Sequence, residues 1–144
     1  MKKTLLLLIC ITLMYSCRHA SDIETARTGI LEAEKAFEKM ASEKGLAEAF
    51  WYFADENAVI LRGNDSLIAG KGNIRNYYEK NPGHDVKLTW NPDFIGVSDC
   101  GSLGYTYGKF LYSTHDSTGK TIEHKGIFHT VWKKTENGWR YVWD

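Results

Sequence analysis

The second half of the chain constrains the fold most, because it has the pattern of several strands joined by short turns. Segment 114–120 is a polar hairpin turn, and Glu136-Asn137-Gly138 carries a strong hairpin signal. Around these turns, apolar and polar residues alternate over segments typical of strands. The predicted strands cover residues 86–90, 93–98, 103–113, 121–134 and 139–144. Consecutive hairpins of this kind predict an antiparallel sheet.

The first half carries helical signals instead. Ser21 and Glu24 have the spacing of a capping box, apolar residues then recur at helical spacing, and Gly45 ends the first helix. The predicted elements are helices over 22–43, 46–53 and 73–80, with short strands over 58–62 and 67–69. Helices followed by a set of long strands predict one α+β domain.

Residues 1–16 have the pattern of an export signal. Lys2 and Lys3 precede an apolar run that is about half the length needed to span a membrane. The stretch from Leu13 to Cys17 resembles a bacterial lipobox, whose cysteine is acylated and becomes the new N-terminus. We therefore expect a signal peptide over 1–16, a lipidated tether over 17–21 and a domain over 22–144. The expected location is the bacterial cell envelope, on its periplasmic or surface side, and simple cleavage near Ser16 is the alternative.

Charge and cysteine usage exclude several classes of function. Loss of Lys2 and Lys3 with the leader leaves 16 basic residues against 18 acidic ones, so nothing favours nucleic-acid binding. Cys10 also leaves and Cys17 is acylated, so Cys100 is expected as a lone, buried small residue. No cluster has the ligand spacing of a metal site, and no phosphate loop or dinucleotide motif occurs. We expect no metal and no cofactor.

Four short motifs point to a known fold. They are Phe53-Ala54-Asp55-Glu56-Asn57-Ala58-Val59, Gly70-Lys71-Gly72-Asn73-Ile74, the stretch Leu103–Gly108 and the stretch Thr130–Lys134. Together they resemble the SnoaL-like, nuclear-transport-factor-2-like superfamily, which includes ketosteroid isomerases and many domains of unknown function. The resemblance covers residues 22–144. It implies a cone-shaped α+β fold in which three N-terminal helices pack on a curved, mostly antiparallel sheet, and it carries little information on function.

The resemblance also implies a pocket between the helices and the sheet, and strand alternation suggests its lining. The register of the strand over 121–134 stays open. Either Lys125, Ile127, His129 and Val131 face inward, or His124, Phe128, Thr130 and Trp132 do. Trp139, Tyr141 and Trp143 share one face of the last strand. The predicted ligand-binding residues are Phe53, Tyr78, Trp90, Tyr105, Tyr107, Lys109, His129, Trp132 and Tyr141.

The catalytic groups of the isomerases have no match at the corresponding positions. Their general base falls on Leu61, which cannot take a proton, and their tyrosine falls near Phe37. Their protonated acid falls on His129 or Thr130. We therefore do not expect isomerase activity by that route. His129 is the best remaining acid or base because imidazole titrates near neutral pH, although a histidine on the outer sheet face or hydrogen-bonded in the core has no such role.

Other polar residues have simpler structural interpretations. Asp55 and Glu56 are expected to cap a helix or to be solvated, Asp93 to form a turn, and His124 to be exposed. Lys109 either meets an anionic ligand inside the cone or lies at its edge with the amine in water.

Aromatic residues make up 13% of the chain, and a pocket walled by them suits a flat or apolar ligand. The first hypothesis is therefore a noncatalytic lipoprotein that binds a small apolar or aromatic molecule. The second is a SnoaL-like cyclase, dehydratase or isomerase that uses His129. The third is an interaction module, and a homodimer is compatible with all three.

Overall fold

The computed structural model describes the backbone of residues 2–63, 65–82 and 86–144, with side chains from Asp22 onward. Its helices are α1 (Lys2–Lys44), α2 (Leu46–Phe53) and α3 (Lys71–Lys80). Its strands are β1 (Ala54–Arg62), β2 (Ser66–Ala69), β3 (Lys87–Val97), β4 (Leu103–His115), β5 (Thr121–Thr135) and β6 (Gly138–Trp143). These elements confirm the predicted α+β class. The predictions on the signal peptide and on Cys17 concern residues 1–21, whose side chains lie outside the described part.

All six strands form one sheet in the order β2-β1-β6-β5-β4-β3. Every neighbouring pair is antiparallel except β1 and β6, which run parallel. The predicted hairpin of the two longest strands is confirmed, and it pairs from Leu103 opposite Lys133 to His115 opposite Thr121. Among the described residues, no helix is both long and apolar enough to cross a membrane.

Several boundaries differ from the prediction. The helix α1 begins well before the predicted start at Asp22, although its end lies within one residue of the predicted Glu43. The strands predicted on either side of Pro92 are one strand, β3. Pro92 is tolerated because β3 is an edge strand and because the register shifts between Pro92 and Phe94, which marks a β-bulge.

The structure resolves the register that the sequence left open. Gly104 and Thr106 of β4 and Thr130 and Trp132 of β5 are buried on the sheet face covered by α1. The second alternative, with Phe128, Thr130 and Trp132 facing inward, is therefore the observed one. The opposite face, which we call the outer face, carries Tyr105, Tyr107, Ile127 and His129, all exposed.

Aromatic rings fill the space between the helices and the sheet. Phe37 of α1 meets Phe50 edge to face, with ring centroids 4.8 Å apart, and stacks on Tyr141 at 5.8 Å. The Tyr141 hydroxyl donates a 2.7 Å hydrogen bond to the Phe50 carbonyl, so its polar end is satisfied. Each fully buried ring of this kind contributes on the order of 1.5–3 kcal/mol. Tyr52 of α2, by contrast, is exposed.

Candidate functional site

The predicted ligand-binding residues separate into two groups. Phe53, Tyr78, Trp132 and Tyr141 pack in the closed aromatic core, and the partly buried Trp90 packs against it. Tyr105, Tyr107, Lys109 and His129 lie on the outer face. The inward direction expected for Tyr105, Tyr107 and Lys109 is therefore wrong, because the buried residues of β4 are the alternate ones. Their role in ligand binding stays a prediction, now for a site on the outer face.

An aromatic patch occupies the outer face where β3, β4 and β5 run side by side. The rings of Phe94 and Tyr107 stack with centroids 5.2 Å apart, and the ring centroids of Tyr105 and His129 lie 6.0 Å apart. Gly96 permits this packing, since a side chain there would come within 2.6 Å of the Tyr105 ring. We use the name aromatic patch for the exposed residues Phe94, Leu103, Tyr105, Tyr107 and His129.

An open groove of about 610 Å³ adjoins the aromatic patch. Six of its lining residues form two rows across β3, β4 and β5, and each row runs through directly paired residues. The rows are Thr89–Leu111–Lys125 and Asn91–Lys109–Ile127. Strand alternation places both rows on the outer face with Tyr107. Between the rows lie Trp90 and Phe110, whose side chains point to the other face, and Gly126, which has no side chain. Glu38 of α1 completes the lining at the edge strand β3, where it accepts a hydrogen bond from the Trp90 amide.

The charged residues of the groove are weakly compensated. Lys109 makes no ion pair with any described residue, and the Lys125 ammonium lies 4.0 Å from Glu123 with both side chains mostly in solvent. Glu38 is already engaged, because one of its carboxylate oxygens accepts a 3.2 Å hydrogen bond from the Trp90 amide. The groove therefore combines an aliphatic floor with two available ammonium groups.

A buried carboxylate that was not predicted from the sequence lies beneath the sheet. Glu34 of α1 is 2% exposed and accepts hydrogen bonds from the indoles of Trp90 at 2.7 Å and Trp132 at 2.9 Å and from the Thr106 hydroxyl. Burial raises the pKa of Glu34, and these three hydrogen bonds partly oppose that effect. No described buried polar side-chain atom lacks a partner. The hydrogen bonds of Glu34 therefore link α1 to β3, β4 and β5.

A sequence signal for Glu34 was present but was missed. Glu34 lies four residues after Ile30 and three before Phe37, so it belongs to the buried stripe of α1. A charged residue on that stripe requires buried hydrogen-bond partners, and the indoles of Trp90 and Trp132 supply them.

A second polar cluster links β1 and α3 to β5 and to the residue after β6. Arg62 of β1 donates from Nε to the Tyr78 hydroxyl at 2.8 Å and pairs with Asp144 at 3.0 Å. Asp144 also accepts a 3.0 Å hydrogen bond from Thr130. Burial by itself lowers the pKa of the Arg62 guanidinium, but contacts with Tyr78 and Asp144 raise that pKa overall. The guanidinium therefore stays charged. Leu61, the position expected to replace the isomerase base, points away from this cluster and is exposed.

The remaining sequence candidates show no catalytic arrangement in the described part of the chain. The exposed His129 ring makes no hydrogen bond there. Cys100 was expected to be buried but is exposed, and hydrogen bonds with Ser102 and Ser98 lower its pKa to about 7. Asp55 pairs with Lys133 at 3.2 Å. No group of three potential metal ligands occurs among the described residues.

No protein-family model and no curated protein matches the sequence, but solved structures do match the fold. An NTF2-like protein with a cystatin-like fold from Novosphingobium aromaticivorans is 18% identical, with a TM-score of 0.69 over 91% of this chain and 84% of that one. A ketosteroid isomerase-like protein from Erwinia carotovora is 13% identical, with a TM-score of 0.63 over 78% of this chain and 88% of that one. The association domain of CaMKII from C. elegans is 18% identical, with a TM-score of 0.65 over 84% and 94%.

These structures combine helices with a sheet in the way that β1 to β6 and α1 to α3 do here. At identities below 25% the likeness concerns architecture alone. The chain has the nuclear-transport-factor-2-like fold.

Proposed function

We propose that this chain is a noncatalytic binding protein that holds a small, largely apolar molecule in the groove on its outer face. The observation that supports this best is the groove itself, whose volume of about 610 Å³ falls within the usual range for small-molecule sites. Leu111 and Ile127 supply an apolar floor. Phe53, Tyr78 and Tyr141, which were expected to line an interior pocket, pack against Phe37 and Phe50 instead.

An enzyme that uses His129 is less well supported. A general acid or base needs a partner that orients it and a place where substrate is held, and His129 has only ring contacts with described residues. The likeness to a ketosteroid isomerase-like protein concerns the fold, and position 61 holds an exposed leucine. Binding without turnover is therefore the better proposal.

The binding proposal is tested with phenylnaphthylamine, a neutral dye that fluoresces in apolar sites. We expect saturable binding that Ile127→Ser weakens, because Ile127 is 69% exposed and forms part of the groove. Leu67→Ser is the matched control, since Leu67 is 62% exposed on β2, at the opposite edge of the sheet. Equal loss of binding in both variants, or binding that neither changes, contradicts the proposal.

We also propose that the protein is held at the cell envelope by lipid on Cys17. The support is the lipobox-like stretch that ends at this residue. Growth with labelled palmitate should label the full chain and its Cys10→Ser variant but not its Cys17→Ser variant. Label on the Cys17→Ser variant would contradict lipidation at this position.

A second candidate function is self-association through the aromatic patch. Large exposed apolar patches often mark interaction surfaces, and one structure of similar fold is an association domain. Tyr107→Glu should then lower the mass measured by sedimentation, whereas Tyr52→Glu, at an exposed tyrosine of α2, should not. A monomeric parent protein at high concentration would remove this candidate.

A further inference from the structure

We propose that the ligand of the groove is a small amphipathic anion, with an apolar body and a single acidic group bound by Lys109 and Lys125. This inference rests on the proposed binding function and names the class of molecule that the groove selects. It follows from the order of side chains on the floor of the groove, from their charges and from the position of Glu38.

The floor of the groove alternates cations with aliphatic side chains. Lys109 lies directly opposite Ile127, and Leu111 lies directly opposite Lys125. The two lysines are therefore diagonal neighbours on one sheet face, and so are Leu111 and Ile127. Diagonal neighbours in antiparallel strands lie about 7–8 Å apart, so one acidic group between the lysines reaches both. An apolar body can meanwhile cover the two aliphatic side chains.

The charges of the groove favour such a ligand. Two ammonium groups on adjacent strands repel each other, and within the described chain Lys109 has no acidic partner while Lys125 has only the distant Glu123. An anion bound between the lysines replaces this repulsion with attraction. Thr89 and Asn91 add uncharged polar groups along the β3 side of the same floor.

Glu38 gives the ligand a direction. Its carboxylate lies at the outer edge of β3, where it accepts a hydrogen bond from the Trp90 amide. Negative charge is disfavoured at that end of the groove because of repulsion by Glu38. Lys109 and Lys125 belong to β4 and β5, one and two strands further away, and so the acidic group is expected there.

The test compares two dyes with the same rings, neutral phenylnaphthylamine and its sulfonate, anilinonaphthalene sulfonate. The full chain should bind the sulfonate more tightly than the neutral dye, and added sodium chloride should weaken only the sulfonate. Lys109→Gln and Lys125→Gln should each weaken sulfonate binding by roughly two- to five-fold, as expected for a solvent-exposed ion pair, and should weaken binding of the neutral dye by a smaller factor. Lys80→Gln, at an exposed lysine of α3, is the control.

The outcomes separate this inference from the proposed function. If the neutral dye binds in an Ile127-dependent way but the sulfonate binds no more tightly, the proposed binding function is supported and the inference of an anionic ligand is wrong. If neither dye binds, both the inference and the proposed function are wrong. If the lysine variants abolish binding to anionic phospholipid vesicles without affecting the sulfonate dye, the lysines contact a membrane, which also overturns the inference.

Discussion

At the scale of single residues, Glu34 shows how a charge is accommodated in an apolar core. A carboxylate loses its hydration on burial, and hydrogen bonds from the protein must replace it. Here two indoles and one hydroxyl donate those hydrogen bonds to Glu34. Among the described residues, no cationic side chain forms an ion pair with Glu34. Sequence reasoning can place Glu34 on the buried stripe of α1, but it cannot identify Trp90, Thr106 and Trp132 as partners, because they come from three separate strands.

The raised pKa of Glu34 makes stability depend on pH. Because the pKa is higher in the folded chain than its ordinary value of 4.5, the folded state binds more protons between the two values. The contribution of Glu34 to the free energy of unfolding is therefore full below pH 4.5 and falls as pH rises through the folded-state pKa. Urea unfolding from acidic to neutral pH should show the parent losing stability relative to Glu34→Gln as pH rises. The exposed neighbour Glu32, changed to Gln, is the control, and parallel curves for parent and Glu34→Gln would contradict the pKa shift.

At the scale of elements, the sequence predicts each helix and strand better than it predicts the faces they present. The helix α2 is confirmed at the predicted bounds, and the hairpin of β4 and β5 follows from its turn. The face of β5 stayed open because both alternate sets contain large apolar residues, Ile127 and Val131 in one, Phe128 and Trp132 in the other. Contacts with α1 decide between them, and those contacts are not local in sequence.

Gly104 on the inner face of β4 allows α1 to lie close to the sheet and β3 to lie close to β4. A side chain at Gly104 would overlap the end of Ile30 and lie 2.7 Å from the Gly96 carbonyl oxygen. Gly104→Ala should therefore lower the free energy of unfolding by about 1–3 kcal/mol, the usual cost of overpacking. Gly72→Ala is the matched control, because nothing lies within 4 Å of that site in α3 and alanine favours a helix by up to ~1 kcal/mol. Equal stability of the two variants in chemical denaturation would show that α1 does not depend on this close approach.

At the scale of the whole molecule, the pairing of β1 with β6 closes the fold in a way that sequence patterns do not reveal. The two strands run parallel, and Asp144 donates its amide to the Val59 carbonyl while its own carbonyl accepts from Leu61. Composition and periodicity predicted the layers of the domain, and the resemblance to a known superfamily supplied their arrangement. Neither could place a groove on the outer face, because its rows depend on the register of three strands.

The ion pair of Arg62 and Asp144 should therefore stabilise the domain as a unit. It links β1 to the residue after β6, and Tyr78 of α3 and Thr130 of β5 share its hydrogen bonds. The two side chains are only 22% and 16% exposed, so Asp144→Asn leaves a largely buried guanidinium without its counter-charge. We expect the free energy of unfolding in urea to fall by about 1–3 kcal/mol, less than for a fully buried pair because some solvent reaches the two side chains.

Asp55→Asn is the control: it removes the more exposed pair with Lys133 and should lower the free energy of unfolding by less than about 1 kcal/mol. Since Asp144 connects distant parts of the chain, circular dichroism and tryptophan fluorescence should report the same shifted transition; a shift in one signal alone would show that the pair stabilises only its own neighbourhood.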